Sequence, residues 1–458
     1  MLEKTSVATH FSTTRPAPPS APGLPLVGSL LPVMKDPLAF FLTAQATYGD
    51  IYTLRLGPLE VIVLNHPRHV QHVLRDHVHN YSKGGPIWDT VRTLLGNGLV
   101  VSEGDFWRRQ RRMMQPHFHR QRLASLTDHM VTAIDEELRN WETATQQPFD
   151  IAHAMMQISM RVFVKALFGG SLTPEQMNLV ARKMTLVLKH LSVSTLTQAL
   201  PAWLPVPGRR RYRQAVQAID QVIFGVIEQR RSGSAGEDLL TLLLHMVDDE
   251  SGEQMTAQQL RDEAVSMFVA GYETTAIALA WSFHFLTQQP AVYARLQSEV
   301  DQVLGGRPPT FADLPQLAYT RQVLQEALRY YPPVWQLTRT ADEADEIDGY
   351  AIPAGKTVAL MQNVIQHHPA IWLNPSQFDP DRFTPEQSAT RPELAWWPFG
   401  AGQRQCIGRD FALMEGQLVL ASVLQRYTLR ALPGRIPTPQ AVITLCPKAG
   451  VWVTLERR

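Results

Sequence analysis

Apolar positions recur at helical spacing along most of the chain. The pattern dominates from Asp128 to Gly169 and again from Gln258 to Gln288. The second stretch contains no proline, and at about 1.5 Å per residue it would run roughly 45 Å. From Ala264 to Leu286 it is apolar enough to raise a transmembrane reading. Glu273, Thr274, Thr275 and His284 interrupt it, however, and a mid-bilayer glutamate is costly. A buried core helix is expected instead. A further amphipathic helix is predicted from Leu317 to Tyr331, stopped by Pro332-Pro333. Alternation appears only in short pieces. Asp50 to Leu64 predicts two strands around Gly57-Pro58, Gly349 to Met361 predicts a hairpin, and Ala441 to Pro447 predicts one strand carrying Cys446. The fold class is therefore mainly α with a small β region.

The ends and joints are marked by proline. Arg15 to Gly28 is proline-rich and predicted extended. Residues 1–15 are expected to form a disordered tail ahead of a single domain over 16–458. Leu191 to Pro207 is apolar and broken by prolines, and Gly208 to Arg213 then turns basic, which predicts a solvated loop. With 458 residues, 45% of them hydrophobic, there is material for a large core. A formal net charge of +1 argues against a nucleic-acid binder. Cys406 and Cys446 are the two cysteines, too few for a disulfide framework and suited to a reducing compartment. The residues through Thr14 are polar and carry no signal-peptide pattern.

The densest chemistry lies in Phe399-Gly400-Ala401-Gly402-Gln403-Arg404-Gln405-Cys406-Ile407-Gly408. A cysteine at the start of a helix sits near the positive end of its dipole, which favours the metal-binding thiolate. Gly400, Gly402 and Gly408 permit a flat ligand to lie against the main chain. Arg404 offers a planar fork for a carboxylate, and Phe399 can wall the sulfur off from water. A cysteine after a turn is most often a buried structural thiol. The complete loop weighs against that reading.

This decapeptide resembles the haem-binding loop of the cytochrome P-450 family, Phe-Gly-x-Gly-x-Arg-x-Cys-x-Gly, with every fixed position filled. The resemblance implies a triangular, helix-rich single domain around a buried haem b (iron protoporphyrin IX), with Cys406 as the iron ligand. Other motifs fall in the family's order. Trp107 and Arg111 match a Trp-x-x-x-Arg pattern whose side chains hold a haem propionate, and Arg339 stands in the place of another propionate-binding arginine. Ala270-Gly271-Tyr272-Glu273-Thr274-Thr275 matches the oxygen-activation motif. Thr274 would bond the oxygen ligand, and Glu273 would gate proton delivery. On the residues alone, Gly271 leaves a notch for a small ligand, and Thr274 can bond the carbonyl of Ala270. Glu326, Arg329 and Arg382 match a buried charge network behind the haem-binding core.

The implied activity is a monooxygenase that inserts one atom of O2 into a small apolar organic molecule by hydroxylation or epoxidation. The Ala-Gly-x-Glu-Thr-Thr form resembles bacterial relatives acting on fatty acids and terpenoids. No flavin or ferredoxin segment is visible, so electrons would come from a separate ferredoxin or flavodoxin with its NAD(P)H reductase. In this family such a protein docks on the cysteine side of the haem, near the basic residues Arg108, Arg109, Arg112, Arg120 and Arg122. The anchor helix of eukaryotic members is not seen, so a soluble cytoplasmic protein is expected. Two alternatives stand beside this reading: a peroxide-driven enzyme, against which Glu273 and Thr274 argue, and a non-enzymatic haem-based binder or sensor.

Overall fold

The helix from Ala257 to Gln288 begins at a reciprocal cap. Gln259 N–H donates to the Thr256 hydroxyl, and Thr256 N–H donates to the Gln259 side chain at 2.7 Å. It ends at Gln289, where Pro290 disfavours a further helical residue. In the computed structural model, which describes residues 15–169, 172–197, 208–233 and 238–458, this helix runs through the core. It packs along Ile151–Phe168, Arg209–Arg231, Ala318–Tyr330 and Arg409–Arg426. Its second half, from Thr275 to Leu286, is almost wholly buried, as a core helix must be. Leu279, Trp281 and Phe283 have no exposed surface. Two helices, Ile151–Phe168 and Ala257–Gln288, are long and apolar enough to cross a membrane, yet 61% and 72% of their apolar windows are buried inside the protein.

A five-stranded sheet lies beside this helical body, in the order Ile51–Leu56, Leu59–Leu64, Thr357–Leu360, Leu337–Ala341, Tyr81–Ser82. The first two strands are the predicted pair around Gly57-Pro58. Leu59–Leu64 then runs parallel to Thr357–Leu360, with Val61 beside Thr357. A parallel pair needs a long crossover. Here that crossover contains most of the helices.

Three sequence expectations are corrected. The hairpin placed at Gly349 to Met361 does not form. Tyr350–Ile352 turns back onto Asp345–Ile347, and Thr357–Leu360 joins the large sheet. The reason is Asp348-Gly349, both at positive φ (49° and 83°), which closes a two-residue hairpin one strand earlier. The single strand read at Ala441 to Pro447 is instead a hairpin of Pro439–Ala441 with Leu445–Pro447. The basic run after Gly208 is the first turn of the helix Arg209–Arg231, and Tyr212 there shares a 2.8 Å hydrogen bond with Thr93. The apolar stretch before it continues the helix Pro174–Thr197, and its remainder, 198–207, lies outside the described residues. So does the expected tail, except Arg15, which pairs with Glu346. The extended segment after it is fixed to the sheet: Ser20 bridges Thr53, and Thr53 N–H donates to Pro19 O at 2.7 Å.

Candidate active site

The cysteine loop is a closed turn. Cys406 N–H donates to Phe399 O at 2.8 Å, and Gly400 N–H donates to Trp397 O at 2.9 Å. Gly400 and Gly402 take φ of 71° and 65°. A Cβ at Gly402 would stand 2.0 Å from Leu74 O, so the close approach there is to protein backbone and not to a flat ligand. Phe399 meets Trp396 edge-on at 6.2 Å. Gly408 caps the helix Arg409–Arg426. The Cys406 side chain is exposed, and the surface it exposes lines a cavity of about 340 Å³. Burial pushes the thiol pKa up, and the Gly408 N–H with Arg111 and Arg409 pulls the other way.

Across the cavity lies the central helix. Ala270, Gly271, Thr274 and Thr275 line it. Thr274 donates to Ala270 O at 2.8 Å, as its position predicts. Gly271 does not hold an open notch, because a Cβ there would stand 2.2 Å from the Phe163 ring, which already fills the space. Glu273 is absent from the cavity wall. It turns to the Pro439–Pro447 hairpin, where Thr444 donates to it at 3.3 Å. Burial raises its carboxyl pKa, against the opposing pull of Thr444.

One wall of the cavity is cationic. Trp107 and Arg111 share the helix Gly104–Met114 and both reach it. Arg111 donates to Gln405 O at 2.8 Å. Arg404 lies over Trp107, with its guanidinium carbon 3.7 Å from the ring centroid, and it pairs with Glu103 and donates to Ser102 O. Arg339 is buried and donates to Thr338 O at 2.8 Å, and burial drags its pKa down to about 10. Lys83 is buried beside it, and desolvation, Arg339 and Arg404 hold its ammonium well below the usual lysine range. Its head group donates to Val100 O and lies 5.2 Å from the Trp88 ring. Sequence reasoning missed Lys83 and Trp88. The available signal was a lysine held between a strand and Gly84-Gly85.

Behind the loop, Glu326 and Arg329 form a bidentate pair at 2.6 and 2.7 Å with no exposed surface, and Arg382 approaches Glu326 at 3.4 Å. The three residues singled out from the sequence are thus in contact. Of the basic cluster, Arg109 and Arg112 are occupied internally. Arg109 pairs with Glu253 at 2.6 Å, and Arg112 pairs with Asp248 and Glu250 at 2.7 Å each. Arg108 pairs with exposed Asp105, and the side chain of Arg120 lies outside the described set. An open depression beside this helix is lined by Arg108, Arg111, Gln115 and His119.

A profile of the cytochrome P450 family matches residues 18–450. The chain belongs to the cytochrome P450 family. It is 37% identical to cyclooctatin synthase of Streptomyces melanosporofaciens over 93% of each chain. It is 36% identical to cyclooctat-9-en-7-ol 5-monooxygenase of the same organism over 95% of each. Pentalenene oxygenase of Streptomyces avermitilis is 33% identical over 93% of this chain and 94% of its own. The crystal structure of the cytochrome P450DA heme domain superposes with a TM-score of 0.90 at 27% identity, covering 97% of this chain and 98% of that one. The chain is accordingly a haem-thiolate cytochrome P450 monooxygenase, using O2, an organic substrate and a redox partner.

The cavity suits the family's cofactor. Arg339 and Lys83 are buried cations facing it, each bonded to a backbone carbonyl and not to a carboxylate of its own. Buried charges call for a counter-charge. The carboxylates of a haem bound between Cys406 and the central helix would supply it.

Proposed function

We propose that this P450 oxidises a terpenoid-like molecule held between the central helix and a haem b (iron protoporphyrin IX) ligated by Cys406. The observation that carries the reading is the placement of Cys406 and Thr274 on one apolar cavity with a cationic wall. Lys83, Arg111, Arg339 and Arg404 are suited to the propionates, with Trp107 supporting the Arg404 guanidinium. Phe399 and Gly408 flank the sulfur. Glu326, Arg329 and Arg382 hold the loop from behind. The domain spans residues 16–458, and the setting is cytoplasmic. The substrate class rests on relatives named for their action on cyclooctat-9-en-7-ol and pentalenene.

The bound haem supplies O2 activation and oxygen-atom transfer. The protein supplies binding, dryness and protons. Phe163, Leu167, Met267 and Phe411 give the cavity its apolar lining and keep water away. Thr274 donates its hydroxyl proton to Ala270 O, which leaves its oxygen free to accept a hydrogen bond from a group on the cavity side. Glu273, with its pKa raised by burial, stands one residue away and accepts from Thr444. Electrons come from a ferredoxin or flavodoxin with its NAD(P)H reductase, docking over the depression lined by Arg108 and His119.

Purified protein, reduced and treated with carbon monoxide, should show the far-displaced Soret band of thiolate-bound haem. Cys406→Ser should erase it while leaving the helical circular dichroism intact. An unshifted band in the wild type would refute the ligand assignment.

A further inference from the structure

The helix Pro67–Gln71 does not end as an α-helix. It runs on into one π-helical turn, His72–Asp76, closed by His77 N–H donating to His72 O at 2.9 Å. In an α-helix, residues five apart point about 140° away from each other. The wider turn sets them one above the other instead, and the His72 and His77 rings stack with centroids 4.0 Å apart at 11°. Such turns are rare and recur at functional sites. This one brings two imidazoles to a single carboxylate from a distant strand, Asp345–Ile347. Asp345 Oδ2 lies 2.7 Å from His72 Nε2 and 3.7 Å from His77 Nδ1, and the three atoms all fall within 4.8 Å of one another.

Holding the fold together does not call for both histidines. Tyr81 donates to Asp345 Oδ2 at 2.8 Å, and the Glu346 N–H donates to its Oδ1 at 2.7 Å, so the carboxylate is satisfied without His77. The same bonds fix its orientation, as outer partners do for a metal ligand. The cluster is open to solvent: 48% of the His77 side chain and 22% of the His72 side chain are exposed. An ion can therefore reach it from outside. A tetrahedral ion of the zinc type, about 2.0–2.2 Å from nitrogen and oxygen ligands, spaces them roughly 3.3–3.6 Å apart. The two distances to Asp345 bracket that spacing. A metal bonds an imidazole nitrogen in the plane of its ring, so two stacked rings do not both hold it as they lie. His77, half exposed at the end of the turn, has room to rotate.

We propose that His72, His77 and Asp345 bind a divalent transition-metal ion of the zinc type, at a site apart from the haem, since none of the three lines the cavity of Cys406. Two imidazoles and one carboxylate select such an ion over Ca2+ and Mg2+, which take oxygen ligands. The ion replaces the proton shared by His72 and Asp345, the His77 ring turns out of the stack to meet it, and water fills the fourth position on the solvent side. The bonds tie the π-helical turn to the strand Asp345–Ile347. That turn backs the cysteine loop, where Leu74 O would stand 2.0 Å from a Cβ at Gly402. A metal clamp there steadies the segment against which the loop rests.

The test uses haem-loaded protein, stripped with a chelator, dialysed, and titrated with Zn2+ against a fluorescent competitor. One equivalent should bind with a dissociation constant below about 10 µM, and excess Ca2+ or Mg2+ should not displace it. His77→Ala, a change at a half-exposed position, should weaken binding at least about tenfold, and so should Asp345→Asn. His79→Ala, at an exposed histidine close by, should change nothing. Zinc-edge X-ray absorption should show two imidazoles bonded to the ion. Zn2+ should also raise the Tm of the wild type and leave that of His77→Ala unchanged. The Soret spectrum of each variant checks that its fold is intact. Lack of stoichiometric binding to the wild type overturns the proposal. So does an affinity that survives His77→Ala, which would mean an adventitious ion only.

Discussion

Arg329 and Gln366 hold each other reciprocally: Arg329 Nη1 donates to Gln366 O, and Gln366 Nε2 donates to Arg329 O, both at 2.9 Å. The Gln366 side-chain oxygen also accepts the Trp397 N–H at 3.4 Å, and Trp397 O accepts from Gly400. A continuous run of hydrogen bonds thus links the buried Glu326–Arg329 pair to the cysteine turn. Glu326→Gln strands the Arg329 charge and should cost roughly 3–5 kcal/mol, with little haem-loaded protein recovered. Gln366→Ala should give partial loading and a less stable Cys406 spectrum. Full haem occupancy in Glu326→Gln, measured by pyridine haemochrome, would sever the link.

Lys83→Met separates two effects of one cation. Without haem the buried ammonium is a burden, so the substitution should raise the Tm of the apoprotein. With haem it should speed cofactor loss to an acceptor apoprotein by about tenfold, the scale of a charge-assisted hydrogen bond. Unchanged haem loss, or a lower Tm of the apoprotein, would contradict a propionate role for Lys83.

Which of these features the sequence disclosed follows from how local they are. The cysteine loop, the Gln258-to-Gln288 helix and the Glu326/Arg329 spacing are each written within a short run of residues. Lys83 meets Arg339, and Arg404 meets Glu103, only after the chain has folded, and no periodicity announces either contact. The Gly271 notch was visible, but Phe163, which fills it, lies on another helix. The misplaced hairpin was avoidable, since Asp348-Gly349 is a strong local turn signal. The basic cluster was legible as charge, but its pairing with the 248–253 loop was not.

Gly271→Ala should destabilise the fold by about 1–3 kcal/mol through overpacking against Phe163. Combining it with Phe163→Leu should restore much of the loss. Urea denaturation of the single and double variants checks this, and strictly additive losses would deny the contact.

Burial pushes Glu263 and Glu415 up to about 8 and pulls His284 and His367 down to about 4. In the unfolded chain these groups titrate near about 4.3 and 6.5. The folded state therefore binds the carboxyl protons more tightly, and stability falls as pH rises from the unfolded carboxyl value to about 8. The histidines act oppositely, since the unfolded state binds their protons below 6.5, and their contribution is complete above that. Between about pH 6.5 and 8 the histidines no longer contribute, and each of these two carboxyls costs roughly 1.4 kcal/mol per pH unit. Tm should drop across that window, and Glu263→Gln with Glu415→Gln should flatten the slope. A rising Tm there would reject the carboxyl assignment.

Charge reversal at Arg109 and Arg112 should act mainly on stability, because Asp248, Glu250 and Glu253 already occupy them. Arg108→Glu should instead slow electron transfer from an acidic ferredoxin and weaken its salt dependence. Stopped-flow reduction at several ionic strengths separates the two, and equal kinetics in all three variants would move the docking face elsewhere.

Val61 pairs with Thr357, so the strand Leu59–Leu64 finishes synthesis long before its parallel neighbour exists. At ribosomal speeds the interval is roughly 15–60 s. Throughout it, an apolar strand edge stands bare on a half-made protein, open to pairing with other nascent chains. Yield during expression should therefore respond to slower translation, lower temperature and chaperone supply, even where the finished enzyme is robust.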